Sequence, residues 1–453
     1  MNRIPGANPR WLAQTAMILS FALLGSCDIA EREQYENATQ AIQGNNPTGQ
    51  EQPSLALQFA EPEQVGMSGE RLGRITDAMQ ELVDDGLLAG VVTMVARHNK
   101  IVHFESVGYR DIEAGAPMTN DAIFRIYSMT KPITGVALMM LYDEGKFRLS
   151  DPVEKYIPEF SNLRVAIGTA PNGELITEES EHRMTIRELM SHTGGLTYGL
   201  FSSSTVDDLY NEINVLDSQS ILKSMIDKLS AIPLRQQPGS QFHYSVSVDV
   251  QGYLVEVLSG QTFAEFLEER LFEPLGMIDA GWHIPPEKIN RFAQVYQYND
   301  SGTLIPKEWE SWPRDYYEPA TFFSGGAGLV ATAMDYMRFS QMVLDGGELD
   351  GERVLAPLTI DLMHRDQMPA GVAYTPGLGF GLDFAVVTDP VEADSVSTGE
   401  FYWGGAAGTW FWIDPVEDLV FVGMIQQFGG ARPDVRSLSR RLTYAAIMEP
   451  NGL

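Results

Sequence analysis

The tetrad Ser128-Met129-Thr130-Lys131 constrains this chain more than any other four residues. An apolar pattern of helical period follows at once, through Ile133, Val136, Ala137, Met140 and Leu141. Residues i and i+3 share a helix face, so the Ser128 hydroxyl and the Lys131 amine are predicted side by side in the first turn. There the free N–H groups and the helix dipole favour developing negative charge. A serine alcohol is a weak nucleophile until a neighbouring base takes its proton. A lysine serves as that base when its surroundings favour the neutral amine. The pattern therefore points to nucleophilic catalysis by serine.

Other stretches support it. His243-Tyr244-Ser245-Val246-Ser247 follows Pro238-Gly239 and precedes an apolar helix, Val248 to Leu258, that ends at Gly260. Trp403-Gly404-Gly405 leads into residues 406–415 (AAGTWFWIDP) and Leu419-Val420-Phe421-Val422, read as two strands joined by a turn at Asp414-Pro415. Leu189-Met190-Ser191-His192-Thr193-Gly194-Gly195-Leu196 and Gly325-Gly326-Ala327-Gly328-Leu329 complete the set.

With Phe124-Arg125-Ile126-Tyr127 before the tetrad and Pro132 after it, these landmarks make the chain resemble the serine β-lactamase-like hydrolases, closest to the class C and family VIII carboxylesterase branch, over residues 60–448. The resemblance implies an α/β (α+β) fold of the β-lactamase/transpeptidase type: an antiparallel sheet from both chain ends, flanked by helices, with an inserted helical region. It implies Ser128 as nucleophile, Lys131 and Tyr244 as shared general base, and the backbone N–H groups of Ser128 and Ala406 as oxyanion hole. Trp403, Gly404 and Gly405 would contact substrate, the glycines by letting it approach the strand backbone.

Two departures from the family pattern shape the functional expectation. Val246 stands where β-lactamases carry the asparagine of Y-x-N, and Trp403 where they carry the lysine of K-T-G. That lysine helps hold the carboxylate of a β-lactam or a peptide C-terminus, which tryptophan cannot do. Trp-Gly-Gly resembles the family VIII form. The expected activity is hydrolysis of short-chain carboxylic esters through an acyl-enzyme, with a small-molecule ester as partner and no cofactor. The alternatives are a β-lactamase or D-Ala-D-Ala carboxypeptidase, and a non-catalytic penicillin-sensing or cell-wall-binding protein on the same fold.

Competing patterns are weaker. Ser397-Thr398-Gly399 has the last two letters of K-T-G but no cation. His192 lies in a turn and reads as structural. Gly195-Leu196-Thr197-Tyr198-Gly199 mimics a G-x-S-x-G elbow with threonine at its centre, and no strand leads into it. The seven histidines show no H-E-x-x-H or paired spacing, so no metal site is expected.

The 453 residues are enough for one large domain or two ordinary ones, and a net charge of -30 makes nucleic acid an unexpected partner, since phosphate binding needs clustered Lys and Arg. The sole cysteine, Cys27, ends Leu24-Gly25-Ser26-Cys27 after Arg3, Arg10 and an apolar run from Trp11 to Gly25. This resembles a lipoprotein signal peptide over residues 1–27, with Cys27 acylated and the protein anchored by lipid on the periplasmic side of a bacterial membrane. Residues 28–62 read as a polar tether and 63–450 as the hydrolase domain. Within the domain the periods predict a helix capped by Ser68, a hairpin over Gly90–Gly108, an acidic loop over Glu174–Met184 and helix over about Asp207–Leu229. Helices are also expected over Ala264–Phe272, Asp335–Leu344 and Asp434–Met448.

Overall fold

The computed structural model describes residues 57–171, 173–307, 316–429 and 432–451; Cys27 and the signal segment lie outside them. Ten strands matter here: β1 (Gln58–Phe59), β2 (Gly90–Arg97), β3 (Lys100–Asp111), β4 (Arg164–Thr169), β5 (Leu175–Glu179), β6 (Leu378–Phe380), β7 (Ala385–Val387), β8 (Phe401–Gly404), β9 (Trp410–Asp414) and β10 (Leu419–Met424). The main sheet runs β1-β3-β2-β10-β9-β8-β7-β6. All its pairs are antiparallel except β1 with β3. Both chain ends thus share one sheet, as the resemblance implies.

Period-2 alternation sorts its central strands onto two faces. Val91 and Val95 of β2, Trp410 and Trp412 of β9, and Leu419 and Phe421 of β10 join one buried cluster. Val92, Met94, Phe411, Ile413, Val420 and Val422, from the same strands, join the other. The first face is covered by α1 (Gly69–Asp84), through Leu72, Ile75 and Met79. On the second lies α2 (Thr130–Asp143), whose residues Thr130 to Leu141 are all buried. A helix apolar all round belongs in a core. Further helices include α3 (Ile186–Met190), α4 (Thr205–Glu212), α5 (Leu222–Ser230), α6 (Ser247–Ser259), α7 (Phe263–Leu267), α8 (Ala333–Leu344) and α9 (Val435–Ala445). Val435 of α9 packs on the first face and Tyr336 of α8 on the second.

Three expectations need correction. Gln58 and Phe59, assigned to the tether, pair with Lys100 and Ile101 and belong to the sheet. The acidic stretch from Glu174 is not simply a loop: Leu175–Glu179 forms β5 against β4. Arg164 of β4 bonds Glu179 at 2.8 Å and offsets the local charge. The helix predicted over Asp207–Leu229 is two helices, α4 and α5, with Asn214 between them at φ 48°. Asparagine tolerates that left-handed geometry, and helical periodicity alone does not register it.

A buried polar knot ties α9 to β8 and β9. The Tyr444 hydroxyl lies 2.6 Å from Glu400 and 2.7 Å from Asp414. It can donate to only one of them. Ser397 also donates to Asp414 at 2.9 Å, and Arg440 lies 2.7 Å from Glu400. Burial outweighs the Arg440 charge and pushes the Glu400 carboxyl from 4.5 up to about 7. The folded state therefore holds this proton more tightly than the unfolded chain. Its stabilising contribution is full below the ordinary carboxyl range and is lost as pH rises towards 7, by at most roughly 3 kcal/mol. Glu400→Gln keeps the shape and cannot ionise. Melting curves between about pH 5 and pH 8 are expected to fall less steeply for the variant than for the wild type; equal slopes would show that Glu400 does not carry this dependence.

Candidate active site

The nucleophile segment is built from the backbone outward. Tyr127–Met129 form a single 3₁₀ turn that runs directly into α2. Tyr127 is buried at φ 44°. A bulky residue there is strained, and such strain collects at functional sites when the surroundings enforce it. The enforcement is visible: Ile126 N–H donates to Leu329 O at 3.1 Å, and the Tyr336 hydroxyl donates to Met129 O at 2.9 Å. Ser128 remains half-buried. Its N–H belongs to the first turn, where an amide has no intrahelical carbonyl.

Lys131 is 1% exposed, and its Nζ has three oxygen neighbours. They are Ser128 Oγ at 3.3 Å, the Tyr198 hydroxyl at 3.0 Å and Gly326 O at 2.7 Å. A carbonyl can only accept, so one N–H of Lys131 is committed to Gly326. What remains faces Ser128 and Tyr198, the geometry in which a proton can pass among two hydroxyls and an amine. Ser128 and Lys131 are together as predicted.

The tyrosine nearest the lysine nitrogen is Tyr198, which sequence reasoning did not select. Tyr244 presents its ring instead: Lys131 Nζ lies 4.5 Å from the Tyr244 centroid. Among the described residues, the Tyr244 hydroxyl makes no hydrogen bond, and the Tyr244 ring lies in the same cluster, centroid to centroid 5.5 Å from Tyr198 and 5.6 Å from Trp403. Burial, with the nearby Asp249 carboxylate, holds the Tyr198 hydroxyl well above its ordinary range and keeps it protonated. Tyr198 occupies a loop pinned by Asp207, which accepts from Thr197 at 2.5 Å, Ser202 at 2.9 Å and Ser204 at 2.8 Å. The Gly-Leu-Thr-Tyr-Gly stretch offered one usable signal, an aromatic residue between glycines.

His192 is structural, as its turn suggested. It is buried at φ 54°, and its Nδ1 accepts from Ser245 N–H at 3.2 Å. The proton of the neutral ring therefore belongs on Nε2. Burial and then the Lys131 charge hold His192 well below its ordinary range, so the ring stays neutral. Its ring packs 4.8 Å from that of Tyr244.

β8 closes the site. Trp403 pairs with Phe411 in register, and its ring meets Phe380 edge-on at 5.4 Å. The indole Nε1 is buried without a partner among the described residues. The glycines after it serve the protein itself. A Cβ on Gly404 would collide with the Arg436 guanidinium, and one on Gly405 would collide with Thr409 and lie 2.5 Å from Ile126 O. The expected freeing of strand backbone for substrate is therefore filled at both positions by protein atoms. Gly405 packs β8 against the residue two before the nucleophile. Gly405–Gly408 form a turn, closed by Gly408 N–H to Gly405 O at 3.0 Å. Ala406 is exposed at its second position, where the N–H is not used by the turn's own bond. Arg436 Nη2 donates to Thr409 O at 3.2 Å and Gly405 O at 3.4 Å. Burial and the neighbouring Arg432 lower it to about 10. This cation at the edge of the site was not legible from the Trp-Gly-Gly motif. Phe201, 67% exposed, forms the outer rim, 5.6 Å from Tyr244.

Residues 75–445 match the Beta-lactamase family. Protein Rv1367c of Mycobacterium tuberculosis (strain ATCC 25618 / H37Rv) is 35% identical over 362 residues, 77% of this chain and 88% of the relative. Esterase EstB of Burkholderia gladioli is 32% identical over 359 residues, 75% of this chain and 86% of the relative. In fold, the chain resembles unliganded Simvastatin Synthase (LovD) from Aspergillus terreus, with TM-score 0.72 and 21% identity over 83% of this chain and 98% of that one. It also resembles EstCE1, a hydrolase with promiscuous acyltransferase activity, with TM-score 0.69 and 24% identity over 84% and 99%.

Proposed function

The chain belongs to the Beta-lactamase family and is a serine hydrolase, and on that footing we propose that it cleaves short-chain carboxylic esters through an acyl-enzyme on Ser128. The observation that carries this reading is the contact of Ser128 Oγ with Lys131 Nζ at 3.3 Å beneath an aromatic wall of Tyr244 and Trp403. Ser128 attacks the ester carbonyl. Lys131, assisted by Tyr198 and Tyr244, takes the hydroxyl proton and returns it to the leaving alcohol; the same groups then activate water to release the acid. The N–H groups of Ser128 and Ala406 receive the oxyanion. Trp403 and Phe201 offer apolar surface to the acyl or alcohol group. The 32% identical relative named an esterase supports the same class.

A hydrolysis screen of acyl esters, lactones, β-lactams and D-Ala-D-Ala peptides tests it: short acyl esters are expected to be the best substrates, and a peptide or β-lactam ranking first would overturn it. The second reading, action on β-lactams or peptides, draws on Arg436, whose guanidinium packs against Gly404 and could meet a substrate carboxylate.

We further propose that the segment ending in Leu24-Gly25-Ser26-Cys27 anchors the enzyme by lipid to a membrane, facing the periplasm. Cys27→Ser is expected to move it from the membrane to the soluble fraction of cells, because acylation of the cysteine supplies the anchor. Unchanged fractionation would mean another segment holds it.

A further inference from the structure

We infer that Asp249, buried on α6, is a positioning residue for Lys131: it fixes the Gly326 carbonyl that aims the amine, and it supplies the negative charge that the amine faces. The inference rests on the proposed roles of Ser128 and Lys131.

Asp249 is fully buried. Its Oδ1 accepts from the Ser324 hydroxyl at 2.5 Å and from Gly326 N–H at 3.0 Å. Ser324 Oγ in turn accepts from Ala327 N–H at 3.2 Å. These bonds set the peptide planes of the glycine segment, whose next carbonyl, Gly326 O, accepts from Lys131 at 2.7 Å. The segment has no slack. A Cβ on Gly325 would lie 2.5 Å from Val248 O, and one on Gly326 would lie 2.5 Å from both Asp249 Oδ2 and the Tyr198 hydroxyl. Thr134 of α2 holds the near side, donating to Gly325 O at 2.8 Å. Carboxylate, glycine carbonyl, tyrosine and lysine are thus packed as one unit, and Asp249 Oδ2 is buried in it without a partner among the described residues.

A buried carboxylate is costly unless a charge compensates it. Lys131 does so here whenever its amine carries the proton taken from Ser128. Burial raises the Asp249 carboxyl, while Lys131, Ser324 and Gly326 N–H pull it back down. The other titratable groups facing the lysine are Ser128, Tyr198, Tyr244, His192 and Asp383. His192 is neutral for the reason given above. Asp383, buried against α2 at Gly135 and bonded to Gln251 at 3.1 Å, is driven by burial well above the carboxyl range and stays protonated. Asp249 is the carboxyl of the group whose two hydrogen-bond donors and neighbouring amine favour its ionised form.

Asp249→Asn keeps an oxygen that can accept both bonds and removes the charge. Lys131 must give up a proton before it can act as base, and losing an adjacent negative charge makes that release easier. The acid limb of kcat/KM for p-nitrophenyl butyrate is therefore expected to move down by about one pH unit, with KM within about twofold. Ser324→Ala removes one of the two donors and is expected to lower kcat several-fold and shift the limb the same way by less. A merely structural role would reduce activity without moving the limb. An unmoved limb in the folded Asp249→Asn protein overturns the inference. If that variant does not fold, an unmoved limb in Ser324→Ala overturns it instead. Activity surviving in Ser128→Ala would instead overturn the reading on which the inference rests.

Discussion

Ser128→Ala is expected to lower kcat for p-nitrophenyl butyrate by on the order of 10⁶, leaving the melting temperature within a few degrees of the wild type. The size of the loss follows from what remains. The oxyanion donors and Lys131 stay in place, with no oxygen nucleophile at the position they serve. Three other serine hydroxyls are committed: Ser245 and Ser247 are buried and bonded to each other at 2.7 Å, and Ser324 is bonded to Asp249. The fold should not notice the change, because Ser128 is half-buried and its side chain supports no backbone group. Losing its hydrogen bond with Lys131 leaves the amine two other oxygen partners. Retention of more than a small percentage of activity would put the nucleophile elsewhere.

The second large effect is a preference. For esters such as p-nitrophenyl butyrate, kcat/KM is expected to exceed that for nitrocefin by at least about 10²-fold, equivalent to roughly 2.7 kcal/mol of transition-state binding. A β-lactam carries a carboxylate beside its reactive carbonyl, and Trp403 gives it no charge partner. Arg436 is the cation that could reduce the difference. Its Nη2 is already spent on the carbonyls of Gly405 and Thr409, and Gly404 exists to accommodate its guanidinium. Turning it towards a ligand would unbind that turn. Trp403→Lys is expected to lower ester turnover, by removing an indole packed on Tyr244 and Phe380, and to narrow the gap to nitrocefin. Equal efficiency on both substrates in the wild type would defeat this account of specificity.

The reactive pair was legible from local periodicity, and the sheet built from both chain ends was legible through the family resemblance. Strand β2 follows from a short, mostly apolar run that is buried throughout, and the hairpin from His98 and Asn99, which take φ 52° and 58° in the turn. The spacing of Ser128 and Lys131 is a helix property. The rest of the site is not written locally. Tyr198 reaches Lys131 only because Asp207, nine residues on, gathers three hydroxyls around the loop. Tyr244, chosen for its neighbourhood in sequence, meets the lysine with its ring face. Gly404 reads as a place for substrate until α9 delivers Arg436 to it. Asp249 reads as one polar residue in an apolar helix until Gly326 is laid against it. In each case the partner comes from a distant element, and the pattern of one segment cannot name it.

The most direct measurement is to quench the enzyme during turnover of p-nitrophenyl butyrate and map the covalent adduct by peptide mass spectrometry. The account predicts a butyryl group on the peptide that contains Ser128, at the serine oxygen, and its absence from Ser128→Ala. A butyryl group on another residue of an active enzyme, with Ser128 unmodified, would contradict it.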